Sequence, residues 1–209
     1  MKYLIILSLC LIASIVGASN CPTPTGFSGY IGTVSYGPGN DGFVESTYLS
    51  IDYEGGRLYT SFEVSTNGQN YTGTTIEFSG NNTQYVIATD GNGVDTCFEY
   101  SGTNIPTGLP TGFVNIGEVT LGVIEVQELL SNDTIVLWDA VNCAPMSVTQ
   151  SGNEQVTLSN IYMYENGFRD YLFQLPESCY NPSNLMKLHF NHRKPSNIRL
   201  PHRVKFIMA

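Results

Sequence analysis

Histidine, lysine and free cysteine are the side chains that most readily supply acid–base, Schiff-base or nucleophilic chemistry, and this sequence distributes them unevenly. All three histidines lie after residue 188, and residues 21–180 contain neither histidine nor lysine. That stretch excludes Ser-His-Asp and Cys-His catalysis, histidine metal sites and Schiff-base chemistry. Eighteen acidic residues leave the carboxylate-pair catalysis of glycosidases open, but their spacing singles out no pair. We therefore expect a protein that is not an enzyme.

Four cysteines remain once Cys10, in the apolar N-terminal run, is set aside: Cys21, Cys97, Cys143 and Cys179. They lie 36 to 76 residues apart, whereas zinc sites bring their ligands in close pairs. An even number of widely spaced cysteines favours two disulfides and an oxidising compartment. Three pairings are available, and spacing alone does not choose among them.

Residues 1–18 have the composition of a cleavable signal peptide. One positive charge precedes an apolar run that ends in small residues, which is the pattern of signal-peptidase substrates. The run is shorter than the roughly 20 residues of a membrane-spanning helix, so a membrane anchor fits it less well. Three glycosylation sequons, at Asn70, Asn81 and Asn132, also indicate export through the secretory pathway. We expect cleavage after Ala18 and a secreted glycoprotein.

One acidic loop has the side chains of a cation site, because Asp90, Asn92 and Asp95 are interspersed with glycines. Oxygen donors on a glycine-rich turn are the ligands that calcium prefers. The glycines do not fall at EF-hand positions, and Ser101 stands where the bidentate glutamate would be. A hairpin turn that uses Asp, Asn and Gly for left-handed backbone is the competing and favoured interpretation. Calcium is the one cofactor that the sequence brings into consideration.

Charge divides the chain into an acidic body and a basic end. Residues 21–180 carry two arginines against eighteen acidic residues, a net charge of −16, while residues 181–209 carry six basic residues and no acid. An acidic body repels phosphates, so we expect no nucleic-acid partner. Three prolines punctuate the basic end. We expect a folded domain at 19–180 and a disordered tail at 181–209.

Apolar and polar residues alternate with period two through most of the acidic body, which predicts β-strands. In residues 47–53, the side chains of Leu49, Ile51 and Tyr53 would face one side of a sheet. Residues 57–64 alternate in the same way, and the glycines between the two stretches predict a hairpin turn. No stretch of the body has a convincing helical period.

Ten or so short strands at this spacing predict an all-β fold of two stacked antiparallel sheets, or a strongly curved half-barrel. The loop 102–112 would separate an N-terminal meander from a C-terminal one. A slip in phase at Ser159–Asn160 predicts a β-bulge. Further strands are predicted near residues 28–36, 71–78, 84–89, 95–100, 113–126, 134–138, 144–149, 155–164 and 169–174.

Aromatic residues are plentiful, with thirteen tyrosines, ten phenylalanines and the single tryptophan Trp138. They would fill the core, line an apolar cavity between the sheets, or form a sugar-stacking platform. The core is the safest interpretation for any one of them. Sheets that do not close fully leave a concave apolar interior, which is a common form of small-molecule site.

Several short motifs of the cysteine frame together resemble the ependymin-related family of secreted proteins. The resemblance runs from residue 21 to residue 180. A tryptophan five residues before a Cys-x-Pro and a closing Phe…Pro-x-x-Cys carry most of it. The motifs are Cys21-Pro22-Thr23-Pro24, Ser50-Ile51-Asp52-Tyr53, Val136-Leu137-Trp138, Asn142-Cys143-Ala144-Pro145 and Phe173-Gln174-Leu175-Pro176-Glu177-Ser178-Cys179.

This resemblance implies two stacked antiparallel sheets that enclose a deep apolar pocket, as in bacterial lipoprotein-carrier domains. It implies a secreted or endolysosomal glycoprotein, often a homodimer, that binds a lipid-like small molecule. It also brings an association with calcium and with adhesion to the extracellular matrix or cell surface. The disulfide pairing that it implies is Cys21–Cys143 and Cys97–Cys179. The basic tail has no counterpart that we recognise in the family.

Our leading hypothesis from the sequence is therefore a binding protein for an apolar or amphipathic ligand held between its sheets. A calcium-dependent adhesion protein without a lipid ligand is the second hypothesis. The third is a carbohydrate-binding module that stacks sugars on Trp138, or a carboxylate glycosidase.

Overall fold

A computed structural model describes residues 21, 24–37, 42–66, 68–89, 95–103, 105–108, 112–152, 156–180 and 185–187 of the chain. These residues form twelve β-strands and two short 3-10 helices, Asp170–Phe173 and Glu177–Cys179. The strands are β1 (Gly26–Tyr36), β2 (Phe43–Asp52), β3 (Arg57–Thr66), β4 (Gln69–Phe78), β5 (Thr83–Thr89), β6 (Asp95–Ser101), β7 (Val114–Leu121), β8 (Ile124–Ser131), β9 (Thr134–Asp139), β10 (Ala144–Ser151), β11 (Val156–Asn166) and β12 (Leu185–Lys187).

Hydrogen bonds join the described strands into one sheet, in the order β12-β6-β5-β4-β3-β2-β1-β11-β10-β9-β8-β7. Strands β1 to β6 form one antiparallel meander and β7 to β11 form the second. The two meanders join where β1 pairs with β11. The predicted all-β class is confirmed. The two halves that the sequence suggests as stacked sheets are hydrogen-bonded parts of a single open sheet, with β12 and β7 at its edges.

Alternation along the strands gives this sheet two chemically different faces. The inner face is the one that carries Ile31, Leu49 and Leu58, which are at most 4% exposed and belong to the main apolar cluster. The outer face is the one that carries Tyr30 and Tyr48. The N-terminal meander thus buries the positions that its period-two pattern predicts.

The β7–β8 hairpin corrects the prediction of one strand over 113–126. A tight turn at Gly122 and Val123 divides this stretch into two paired strands. Gly122 has a φ of +66°, a conformation that glycine adopts without a steric penalty. Apolar residues flank the glycine on both sides, so the turn lacks the polar residues that usually reveal one.

The segment predicted as a strand at 169–174 is instead the 3-10 helix Asp170–Phe173. Its backbone is not paired with the sheet, and Phe173 is buried against the guanidinium group of Arg57 at 4.5 Å from the ring centroid. A single buried aromatic side chain therefore anchors this segment, where the sequence pattern indicates a paired strand.

The predicted β-bulge lies further along β11 than Ser159–Asn160. Pairing between β1 and β11 is regular from residue 156 to residue 162, and the shift occurs around Met163, whose φ is +53°. The apparent slip in phase arises because Val156 and Leu158 face outward, 45% and 39% exposed. Apolar residues on an exposed face gave the sequence pattern the wrong phase.

One part of the segment predicted as a tail belongs to the sheet. Strand β12 (Leu185–Lys187) lies within residues 181–209 and pairs in parallel with β6. The rest of that segment, and the predicted signal peptide at 1–18, lie outside the described residues. The structure therefore adds a short edge strand beyond the predicted domain boundary at residue 180.

Two disulfides tie the halves of the chain together, with the pairing that the family resemblance implies. Cys21 is bonded to Cys143 and Cys97 to Cys179, with Cα–Cα distances of 5.5 and 5.2 Å. They close loops with sequence separations of 122 and 82 residues. Each cross-link of this length stabilises the folded state by about 4–5 kcal/mol in the chain-entropy description.

Arg57 fastens the C-terminal segment to the β2–β3 hairpin. Its Nε and Nη2 groups donate to one carboxylate oxygen of Asp52 at 2.8 and 2.6 Å, and its Nη1 group donates to Asp170 at 2.8 Å. The guanidinium group also lies 5.4 and 4.5 Å from the ring centroids of Phe168 and Phe173. The Asp52 side chain is only 4% exposed, so this carboxylate depends on Arg57 for a countercharge.

Asp139 holds the turn that presents Cys143 to its disulfide partner. Its carboxylate accepts hydrogen bonds from the backbone N–H groups of Val141 and Asn142, both at 2.9 Å, and from the Asn142 side-chain amide at 2.6 Å. These bonds lower the pKa of Asp139 below its ordinary value, against the opposing effect of burial. The turn ends at Cys143, whose φ is +54°.

Replacing Arg57 with alanine should lower the free energy of unfolding by roughly 2–3 kcal/mol, because a buried Asp52 carboxylate loses its charged partner. Urea unfolding monitored by circular dichroism measures the change. Arg57→Lys should recover only part of it, since an ammonium group does not reproduce the planar guanidinium contacts. Arg169→Ala, which breaks the exposed pair with Glu165, is the matched control and should leave the unfolding midpoint in place. Equal effects of Arg57→Ala and Arg169→Ala would contradict this assignment.

Replacing Asp139 with asparagine should cost roughly 1 kcal/mol at pH 7, because the amide no longer accepts charge-assisted hydrogen bonds. Since the folded-state pKa of Asp139 is lowered, its contribution is present above pH about 4 and is lost as the pH falls through the lowered pKa. The difference from the wild type should therefore shrink as the pH falls below about 4 in urea titrations. Asp133→Asn, in the exposed β8–β9 turn, is the control. A difference that does not depend on pH would rule out the charged form as the cause.

Candidate functional site

The candidate site is the inner face of the sheet, where side chains from both meanders meet. Four partly buried side chains border it, two of them on the connection between β6 and β7: Ile105, Phe113, Leu129 and Tyr164. Because these four are only partly buried, the cluster reaches the surface at this border. Nine buried side chains make up the cluster itself: Phe27, Ile31, Leu49, Ile51, Tyr53, Leu58, Val136, Val148 and Ile161.

Three aromatic rings connect the buried cluster to this border, two of them buried and the third, Tyr164, partly buried. The Phe27 ring stacks on Tyr164 with 5.3 Å between centroids, and Tyr53 lies tilted at 6.4 Å on its other side. Gly26 permits this arrangement, because a Cβ atom there would stand 2.0 Å from the carbonyl oxygen of Ile51. The close approach of β1 to β2 therefore sets where the Phe27 ring lies.

The Tyr53 hydroxyl group is buried without a hydrogen-bond partner in the described part of the chain. Its residue is only 7% exposed. Burial raises the pKa of Tyr53 well above its ordinary value, with a smaller contribution from Tyr164, so the hydroxyl is neutral at physiological pH. An unpaired buried hydroxyl costs about 1–3 kcal/mol, and native structures contain few of them. This oxygen has an unused capacity to donate and to accept a hydrogen bond.

Polar side chains lie on the same inner face, beside the apolar cluster. The Thr47 hydroxyl donates to Glu45 at 2.5 Å, and the Gln84 amide donates to Glu77 at 2.9 Å. All four residues are at most 5% exposed. Polar groups are expensive to bury in a sheet face that serves only as a core. The inner face is thus amphipathic, with hydrogen-bonding groups interspersed among its apolar clusters.

The three predicted glycosylation sites are all exposed. Asn70 is on β4, Asn81 is in the β4–β5 turn, and Asn132 is in the β8–β9 turn with a φ of +50°. Exposure is what an acceptor asparagine requires, and glycosylation itself stays a prediction.

The predicted calcium ligands are only partly within the described structure. Asp95 is the first residue of β6, while Asp90 and Asn92 lie outside the described residues. Elsewhere, the described part of the chain holds no group of three or more His, Cys, Asp or Glu side chains arranged for a metal ion. Calcium binding at this loop stays a prediction.

Trp138, the residue considered for sugar stacking, is half-buried on β9 opposite Pro145. Tyr53 was predicted to face inward, and it does, but nothing in the sequence marks its hydroxyl as unpaired. That property depends on which groups surround it after folding.

Among the described residues, no helix is both long and apolar enough to cross a bilayer.

Comparison with known proteins identifies a family and a distant structural likeness. The family model described as "Ependymin domain, amoebozoa" matches residues 21–204. No curated protein sequence matches the chain. A solved structure of a LolA superfamily protein from Nitrosomonas europaea aligns with 79% of this chain and 94% of that chain, at 7% identity and a TM-score of 0.32.

Replacing Tyr53 with phenylalanine tests the unpaired hydroxyl. In protein stripped of small molecules by organic extraction and refolded, we expect the free energy of unfolding to stay equal or to rise by up to about 1 kcal/mol, because no hydrogen bond is lost. Tyr164→Phe is the control, since the Tyr164 hydroxyl donates to Asn166 at 3.2 Å. Urea unfolding measures both. A loss of 1 kcal/mol or more in Tyr53→Phe would show that the hydroxyl has a partner in the protein.

Proposed function

This chain belongs to the ependymin family in its amoebozoan form, and we propose that it is a binding protein, not an enzyme, for an amphipathic, lipid-like ligand held on the inner face of its sheet. We propose further that it is exported, with residues 1–18 removed and glycans added at the exposed sequons. Two disulfides agree with an oxidising compartment outside the cytosol.

The observation that carries this proposal is the unpaired Tyr53 hydroxyl beside an apolar cluster that reaches the surface. An apolar chain would pack against the partly buried Ile105, Phe113 and Leu129, and an oxygen of the ligand would pair with Tyr53. Such pairing removes the 1–3 kcal/mol cost of the buried hydroxyl, so it strengthens binding directly. Mostly apolar walls with a few placed polar groups are typical of small-molecule sites.

Electrostatics favour a ligand whose polar group carries no negative charge. Residues 21–180 have a net charge of −16, and both of their arginines are already paired with carboxylates on the outer side of the sheet. The inner face adds the buried carboxyl groups of Glu45 and Glu77. A neutral head group with hydroxyl or ester oxygens therefore fits this face better than a fatty-acid anion.

The first experiment is organic extraction of the purified, secreted protein followed by mass spectrometry, together with displacement of a fluorescent monoacylglycerol. We expect a co-purified lipid-like molecule, and we expect a monoacylglycerol to displace the probe at lower concentration than the matching fatty acid at pH 7. In Tyr53→Phe the affinity for monoacylglycerol should fall about five- to tenfold, the effect of one lost hydrogen bond to a buried group.

Tyr36→Phe is the matched control, because Tyr36 is 69% exposed at the end of β1, away from the inner cluster. The affinity of Tyr36→Phe for monoacylglycerol should equal that of the wild type. The proposal is overturned if the protein carries no extractable lipid and if added monoacylglycerol displaces no bound probe. Equal affinities in Tyr53→Phe and Tyr36→Phe would remove Tyr53 from the site.

A further inference from the structure

The outer face carries a row of tyrosine side chains that is separate from the inner site and ends, at Tyr59, against a second buried apolar cluster. Strand register places Tyr162 of β11 beside Tyr30 of β1, and Tyr30 beside Tyr48 of β2. Tyr59 of β3 follows, with its ring near that of Tyr48. Tyr30 and Tyr162 are 46% and 54% exposed. Tyr48 and Tyr59 are half-buried, so four neighbouring strands form one continuous aromatic patch that reaches the surface, which is a common mark of a binding surface.

The rings stand side by side along the row. Ring centroids of Tyr30 and Tyr48 are 4.8 Å apart at an interplanar angle of 55°, and those of Tyr48 and Tyr59 are 6.4 Å apart at 65°. Gly32 leaves space for the Tyr162 ring, because a Cβ atom at this position would stand 3.2 Å from that ring. The spacing follows the separation of about 4.8 Å between neighbouring strands.

An open groove of about 570 Å³ runs along this row. Its size is in the range of known small-molecule sites. Apart from the tyrosines, most of the side chains that line it end in a hydroxyl group: Ser46, Ser61, Thr72 and Thr74. Glu63 is the charged side chain among the described lining residues.

The end of the row near the C-terminal segment is electrically balanced. The backbone N–H of Arg169 donates to the Ser50 hydroxyl at 2.9 Å, and its guanidinium group pairs with Glu165 at 2.7 Å. The groove as a whole therefore has no unpaired positive charge among the described residues, and the body of the domain is strongly acidic.

Three classes of ligand fit this groove poorly. An acyl chain would bury the hydroxyl groups that line the groove without making hydrogen bonds to them. A phosphate, sulfate or nucleic acid would meet Glu63 and a net charge of −16. A quaternary ammonium group needs rings on several sides of one point, whereas these rings stand in a row.

We propose that this groove binds a neutral oligosaccharide. The C–H face of a pyranose ring packs on an aromatic face, whose negative quadrupole attracts the C–H groups. Its hydroxyl groups would exchange hydrogen bonds with Ser61, Thr74 and the carboxylate of Glu63. Tyrosine rings at strand spacing match sugar units that follow one another along a chain. This site is separate from the inner face, so it does not depend on the lipid-like ligand.

The sequon at Asn70 affects how the proposal must be tested. Asn70 and Thr72 alternate with Tyr71 on β4, so they point to the same side of the sheet, and Thr72 lines the groove. A glycan attached to Asn70 would stand beside the groove and compete with an added sugar. Binding is therefore measured on the Asn70→Gln protein, with Asn81→Gln as the matched control for losing a glycan.

The experiment is an array of neutral and sulfated oligosaccharides probed with the Asn70→Gln protein, followed by calorimetric titration with the best neutral sugar and with choline. We expect neutral sugars to bind and sulfated sugars and choline not to. In the same Asn70→Gln background, Tyr48→Ala should lower the affinity for the sugar at least tenfold, because one stacking aromatic side chain is lost. Ser46→Trp should abolish binding by filling the groove at an exposed position, without removing any tyrosine.

Tyr36→Ala is the matched control, because Tyr36 is exposed on β1 outside the groove, and it should bind as the parent protein does. The proposal is overturned if no neutral sugar binds to the Asn70→Gln protein. It is also overturned if sulfated sugars or choline bind in preference, or if both Tyr48→Ala and Ser46→Trp retain the parent affinity. The lipid displacement assay on these variants should be unchanged, which keeps the two sites distinguishable.

Discussion

The pairing of the first strand with the eleventh is the interaction on which the rest of this structure depends. β1 and β11 are more than a hundred residues apart, yet they pair from Phe27–Asn166 to Tyr36–Val156. Without that ladder the chain would be two separate meanders with two half-covered faces. With it, Ile31 meets Ile161 on the inner face and Tyr30 meets Tyr162 on the outer face. The entropic cost of closing so long a loop is offset in part by the disulfides, each of which links the first half of the chain to the second.

Local patterns in the sequence were sufficient for the N-terminal meander. Leu49, Ile51 and Tyr53 alternate with polar neighbours, and they are buried as predicted because one face of each strand packs inward. The pattern failed where apolar residues face outward or flank a turn. Leu158 on the outer face shifted the predicted bulge, and the apolar residues around Gly122 concealed a hairpin. Both failures occur where hydrophobicity does not report burial.

The candidate sites could not be predicted from sequence because each is a property of register between distant strands. The unpaired hydroxyl of Tyr53 results from what β1 and the β6–β7 connection place around it. The tyrosine row exists because register pairs Tyr30 directly with Tyr162 and with Tyr48, and places Tyr59 two residues from the position opposite Tyr48. A shift of one position would turn Tyr30 to the other face. The cysteine frame, by contrast, could be read from the sequence, since the motifs around the cysteines are local and resemble those of the family.

The scarcity of basic residues limits what either face can bind. Residues 21–180 contain only Arg57 and Arg169, and both hold carboxylates near the C-terminal segment, Arg57 with Asp52 and Asp170 and Arg169 with Glu165. Neither guanidinium group is free to receive an anion. Binding energy on both faces must therefore come from contact with apolar and aromatic surface and from hydrogen bonds of hydroxyl groups. We therefore expect the ligands of both proposed sites, the inner cluster and the outer groove, to carry no net negative charge.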